Sequence, residues 1–177
     1  MKRTIALTIA TIMTAVVPHL YAQQVTTEDL NGVRNFKRLE TTVACAGATT
    51  AQAMPAIKKM GFASVVNLRL ASEEGVDIEG ASAAAKAVNL NYIHIPFSSQ
   101  TPEAAAADRF LAEIAKPVNE PAFIHCGGGG RAATMWFIKR MVVDKWDVER
   151  ASAEATALGM NNAALKQWAI DYAKSKG

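Results

Sequence analysis

One three-layer α/β domain, with a mostly parallel central sheet of about four to five strands flanked by helices, is the fold class that the sequence predicts. Three observations predict it. Short apolar or β-branched runs at 64–68, 92–95 and 122–125 have the length and composition of buried strands. Helix-like stretches with start and stop signals separate them. The last run passes directly into four glycines and then into another helical stretch, a strand–turn–helix order.

The chain opens on Met1-Lys2-Arg3, then an uncharged, mostly apolar stretch from Thr4 to Val17, then Leu20-Tyr21-Ala22 before Gln23. A basic start, a short apolar core and a small-residue cleavage site predict a secretory signal over 1–22. The apolar core falls short of the about 20 residues of a membrane span; an uncleaved anchor is the alternative. Residues 23–177 are then one exported domain, periplasmic or secreted, with no stable membrane insertion after cleavage.

Asn31 to Val43 reads as an opening segment containing a short hairpin. Thr50 is placed to cap a helix that runs to Met60 and stops at Gly61. Ser64 to Leu68 is a strand, Arg69 to Asp77 a polar loop, and Glu79 to Val88 a helix. Tyr92 to Ile95 is a strand ended by Pro96. Thr101-Pro102-Glu103 starts a helix that reaches about Lys116. Ala122 to His125 is a strand, Arg131 to Val143 a helix, and Asp147 and Asn161 start two more.

The full-chain charge of +3 falls by two when Lys2 and Arg3 leave with the signal. A near-neutral domain carries no electrostatic footprint for nucleic acid. Of two cysteines, Cys45 and Cys126, neither stands at metal-ligand spacing from the histidines, so no metal is expected.

The chemistry is concentrated in His125-Cys126-Gly127-Gly128-Gly129-Gly130-Arg131. Glycines let the backbone curl so that successive N–H groups point inward and form an oxyanion nest. The next helix adds its positive end, and Arg131 can grip two oxygens with its planar fork. Cys126 in this potential is expected as a thiolate, with a pKa below the free value of about 8.5. A thiolate beside an anion cradle suits attack on phosphorus or on a sulfane sulfur.

His125-Cys-x4-Arg131, followed by Ala132-Ala133-Thr134-Met135-Trp136, resembles the loop of bacterial dual-specificity/tyrosine-phosphatase-like domains, the beta-lactamase-hydrolase-like phosphatase family. Asn35-Phe36-Lys37-Arg38-Leu39 resembles the family's opening segment. Val65-Val66-Asn67-Leu68-Arg69 and Tyr92-Ile93-His94-Ile95-Pro96-Phe97 resemble two of its strands. The likeness spans about Val33 to Met160 and implies a phosphatase-like fold. It also implies cysteine attack on a phosphoester, a phosphocysteine intermediate, no cofactor, and a phosphorylated protein or small phosphoester as partner. His125 would orient the loop by hydrogen bonds.

Four departures qualify the resemblance. Phosphatases at large have five residues between Cys and Arg, whereas four stand here, as in rhodanese-type sulfurtransferases. Ser98-Ser99-Gln100-Thr101 stands where related phosphatases place an acidic Asp; without an acid, a factor of about 10²–10⁴ is lost. Glu73, Glu74 and Asp77 are candidate substitutes, while Glu103 reads as a helix-dipole acid. Ala132 replaces the usual Ser or Thr after the Arg, and Thr134 lies one helical turn away. Ala44-Cys45-Ala46 replaces an Arg-containing stretch, which makes Cys45 a possible resolving thiol for Cys126. Three readings follow: a phosphatase-like hydrolase, a sulfurtransferase fed by a sulfur donor, and a silent anion- or partner-binding module. His94 and Trp136, Trp146 and Trp168 are expected as structural.

Overall fold

The three predicted runs do form strands of one sheet, two inside it and the third at its edge. In the computed structural model of the protein, which describes residues 24–177, the predicted signal lies outside the described residues. Six strands, β1 (Val25–Leu30), β2 (Val33–Leu39), β3 (Val43–Ala46), β4 (Ser64–Asn67), β5 (Asn91–His94) and β6 (Ala122–His125), lie in the order β1-β2-β3-β6-β4-β5. β3, β6, β4 and β5 pair in parallel; β1–β2 and β2–β3 are antiparallel. The sheet is therefore mixed and wider than the about four to five strands expected.

The extra strands come from the N-terminal segment. The hairpin turns at Asn31-Gly32, where Gly32 has φ +79°, a conformation glycine adopts without strain. β3 is wholly buried but reads Val-Ala-Cys-Ala, and its small side chains carry little strand signal of their own.

Both faces of the sheet are covered, as the three-layer expectation requires. On one face Val43, Cys45, Val66 and Ile124 pack with Phe110, Trp136 and Phe137. These helical residues come from α3 (Ala104–Ile114) and α4 (Gly130–Val142), with α5 (Val148–Ala157) and α6 (Ala163–Ser175) on the same side. On the other face Ala44, Ala46, Val65 and Phe123 pack with Met54 and Ile57 of α1 (Met54–Lys59) and Ala81 and Ala85 of α2 (Ile78–Ala87). Phe123 has ring centroids of Phe36 and Phe62 at 5.7 and 5.6 Å; removing such a ring costs about 3–5 kcal/mol.

Several boundaries shift for identifiable reasons. Thr50 makes no side-chain cap, and a 3₁₀ turn, Ala51–Ala53, precedes α1. α3 begins at Ala104 rather than at Thr101, because the Ser98 hydroxyl accepts the N–H groups of Gln100 and Thr101, both at 3.2 Å, and holds them in a turn. Asn162, not Asn161, caps α6, accepting Leu165 N–H at 2.9 Å. Asp147 caps α5 as expected. No described helix is long and apolar enough to cross a membrane.

Candidate active site

Parallel pairing brings the carboxyl ends of β3, β6 and β4 side by side, and the glycine loop leaves from the central one. Its first two carbonyls are tied outward: Ala48 N–H donates to Gly127 O at 3.0 Å, and the Asn35 amide donates to Gly128 O at 3.0 Å. Gly47 and Gly128 also form a bridge. With these carbonyls turned away, the loop is held in the curled form an oxyanion nest requires. Gly129, at φ +103°, makes the turn into α4. Its N–H donates to the Cys126 sulfur at 3.1 Å. Cys126 itself is buried among core residues.

Arg131 is fixed by the ends of the two neighbouring strands. Its Nη1 donates to Glu73 Oε1 at 2.7 Å, to Phe97 O at 2.8 Å and to Leu68 O at 3.3 Å; Nη2 donates to Glu73 Oε2 at 2.9 Å. The guanidinium also hydrogen-bonds the Cys126 sulfur, so its planar fork, the group that grips two oxygens of a phosphate, lies beside the thiol. Burial alone would lower the Arg131 pKa. Its bonds to Glu73 and the neighbouring Cys126 sulfur outweigh burial and raise it, so the charge is permanent.

Glu73 is a clamp. It bridges Arg131 and Arg69, whose Nε lies 3.2 Å from Oε2, and it also accepts Leu70 N–H at 2.8 Å. Burial pushes its pKa up, but the hydrogen bonds and charges of these partners pull it down to about 2. A carboxylate with that pKa holds no proton to donate at neutral pH. The expectation of Glu73 as a substitute acid is thereby corrected. Asp77 is also committed, as the cap of α2, accepting Gly80 N–H at 2.8 Å. Glu74 contributes its backbone carbonyl to Arg69.

The family model described as "DSP-PTPase phosphatase fused to NAD+ Kinase" matches residues 16–171. The chain belongs to this phosphatase family. Solved structures share its fold. A DUF442 protein from Shewanella putrefaciens matches with TM-score 0.67 and 16% identity over 82% of this chain and 94% of its own. P. aeruginosa TpbA, solved with pTyr, gives 0.63 and 17% over 88% and 91%. The catalytic core of the S. cerevisiae PP-IP phosphatase, solved with citrate, gives 0.65 and 15% over 81% and 88%. No curated protein matches the sequence.

Within this phosphatase family fold, the remaining candidates fall into place. His125 does not orient the loop by ring hydrogen bonds: among the described residues neither ring nitrogen has a partner. Burial, followed by the charges of Arg69, His94 and Arg131, lowers its pKa to about 3, so it is a neutral buried ring lying 6.3 Å from Phe123. His94 is structural, its Nε2 lying 2.8 Å from Arg69 O. Thr134 turns its hydroxyl back to Gly130 O at 2.9 Å, away from the sulfur. Cys45 and Cys126 are both free thiols in one core. Burial, then the charges of Cys126 and Glu154, push the Cys45 thiol well above its usual range. A resolving thiol attacks as the thiolate, so this setting opposes that role. Trp136 is a core residue whose indole N–H reaches Glu154 at 2.7 Å.

Asn35, the Leu68 and Phe97 carbonyls and the clamping role of Glu73 escape a reading of the sequence alone. The spacing of Arg69 and Glu73 in an otherwise polar loop is the one signal that points to a clamp.

Proposed function

We propose that the protein is an exported, cysteine-dependent phosphomonoester hydrolase. The observation that carries this reading is the Arg131 guanidinium, held by Glu73 and two backbone carbonyls against the Cys126 sulfur. The Cys126 thiolate attacks phosphorus, the P–O bond to the leaving group breaks, and a phosphocysteine forms. Water then cleaves the S–P bond and returns the thiolate. Arg131 and the N–H groups of Gly127 to Gly130 hold the three phosphoryl oxygens through both steps, where electrostatic stabilisation contributes most. The mechanism needs no metal, and among the described residues no cluster of His, Cys, Asp or Glu could hold one.

The substrate class is a phosphoester, a phosphorylated protein or a small phosphorylated molecule, in keeping with the pTyr bound to TpbA and the PP-IP substrate of the yeast enzyme. The basic start, apolar core and cleavage site of residues 1–22 support export. Sulfur transfer is a second reading, favoured by the four-residue spacing from Cys126 to Arg131.

The test is phosphate release from an aryl phosphate by reduced protein lacking residues 1–22, beside Cys126→Ser. Release that is abolished in the variant is the expected result. No release above the variant, with a gain of one sulfur on Cys126 after thiosulfate, would replace this reading with the second.

A further inference from the structure

Glu73 and Asp77 are occupied, so the leaving group needs an acid from elsewhere. A cleft of about 310 Å³ opens beside the clamp, lined by Leu70, Pro96, Phe97, Ser98, Thr101 and Glu103 among others. It borders the anion site directly. Phe97, in its wall, gives its carbonyl to Arg131 at 2.8 Å, and Leu70, opposite, gives its N–H to the Glu73 carboxylate at 2.8 Å. A phosphoester held by Arg131 therefore extends its organic part over or into this cleft.

One carboxyl group lines it, that of Glu103. Glu103 occupies the N-cap position of α3 in extended conformation, where an acid suits the helix dipole, and its side chain accepts no cap hydrogen bond. It is exposed, and its carboxyl has no ion-pair or hydrogen-bond partner among the described residues. The Ser98 hydroxyl is committed to the Gln100 and Thr101 N–H groups, which fixes the loop preceding Glu103 and leaves Ser98 itself unavailable.

We propose that Glu103 is the general acid of the reaction, a role resting on the hydrolase reading above. Its carboxyl proton passes to the leaving oxygen as the P–O bond breaks, releasing a neutral alcohol or phenol and leaving Glu103 as carboxylate. That carboxylate then takes a proton from the water that attacks the phosphocysteine. Phosphate and the Cys126 thiolate are released, and Glu103 is again protonated.

The experiment is a leaving-group series, from dinitrophenyl phosphate through nitrophenyl and phenyl phosphate to an alkyl phosphate, with the protein lacking residues 1–22 and with Glu103→Gln and Glu103→Asp. A nitrophenolate departs with little help, while a phenolate or alkoxide needs the proton. The expected loss in Glu103→Gln grows along the series, from a few-fold for the dinitrophenyl ester to about 100-fold or more for phenyl phosphate. Glu103→Asp, which keeps the carboxyl, is expected to lose less at every basic leaving group. A loss of equal size across the series, or none, overturns the assignment of Glu103 and leaves the hydrolase reading standing. Wild-type protein with no release even from the dinitrophenyl ester overturns both.

Discussion

Two loops meet at the proposed anion site, and they contribute to it by opposite means. Gly127 to Gly130 offer no side chains at all; they contribute N–H groups and a turn. The loop of residues 70–77 works through side chains, above all Glu73, which carries the conformation of Arg131. In the proposed reaction the glycine loop sets where the oxyanion sits, and the acidic loop sets how the cation meets it. Two loops of such different composition are expected to fail in different ways, and a ranked set of substitutions separates them.

The largest effect is expected on the cation itself. Arg131→Lys keeps the charge but loses the planar fork, and aryl phosphate turnover should fall by about 10²–10³. Retained turnover would show that charge alone suffices and that the bidentate edge is irrelevant.

Glu73→Gln comes next. It preserves the shape but frees the guanidinium, and turnover should fall by up to about 100-fold through misplacement. The same carboxylate affects stability with pH. Its pKa is about 2 folded against 4.5 unfolded, so the unfolded chain binds the extra proton as pH drops. The stabilisation is fully present above the unfolded value and is lost as pH falls from about 5 towards 2; solvent screening of this partly exposed carboxylate holds the loss to about 1 kcal/mol. Chemical denaturation across that range should show this loss in the wild type and a flatter profile in Glu73→Gln. Equal slopes would remove Glu73 from the clamp.

The smallest effects separate two glycines of the other loop. Gly129 holds φ +103° and gives its N–H to the sulfur, so Gly129→Ala should cost about 1–2 kcal/mol of stability and lower turnover. A Cβ at Gly128 meets open space at an ordinary φ, and Gly128→Ala should stay within about 0.5 kcal/mol. Denaturation midpoints of the pair check the contrast; equal costs would show that curl is not what the glycines provide.

This contrast also explains what the sequence reveals. A four-glycine run between an apolar strand and a helix is a local pattern, so Cys126, Arg131 and the loop are legible, and the strands at 64–68, 92–95 and 122–125 with them. Glu73 is visible as an acid on an active-face loop, but its role is set by Arg131, 58 positions away, and no local pattern encodes that pairing. β3 hides behind alanines, and Glu103 looks like an ordinary helix-start acid until the Ser98 turn delays the helix to Ala104. Long-range partners and small-residue strands are where local reading fails.

The Asn35 amide reaches Gly128 from antiparallel β2, and Ala48 N–H reaches Gly127 from just beyond β3. They make the N-terminal antiparallel strands a cofactor-like accessory of the nest. Those bonds favour the curled loop, and an oxyanion bound there would favour the same curl. By mass action, ligand occupancy and docking of the strands are coupled, each strengthening the other by the same free energy. β2, far in sequence from Cys126, is thus a thermodynamic partner of any anion the loop holds.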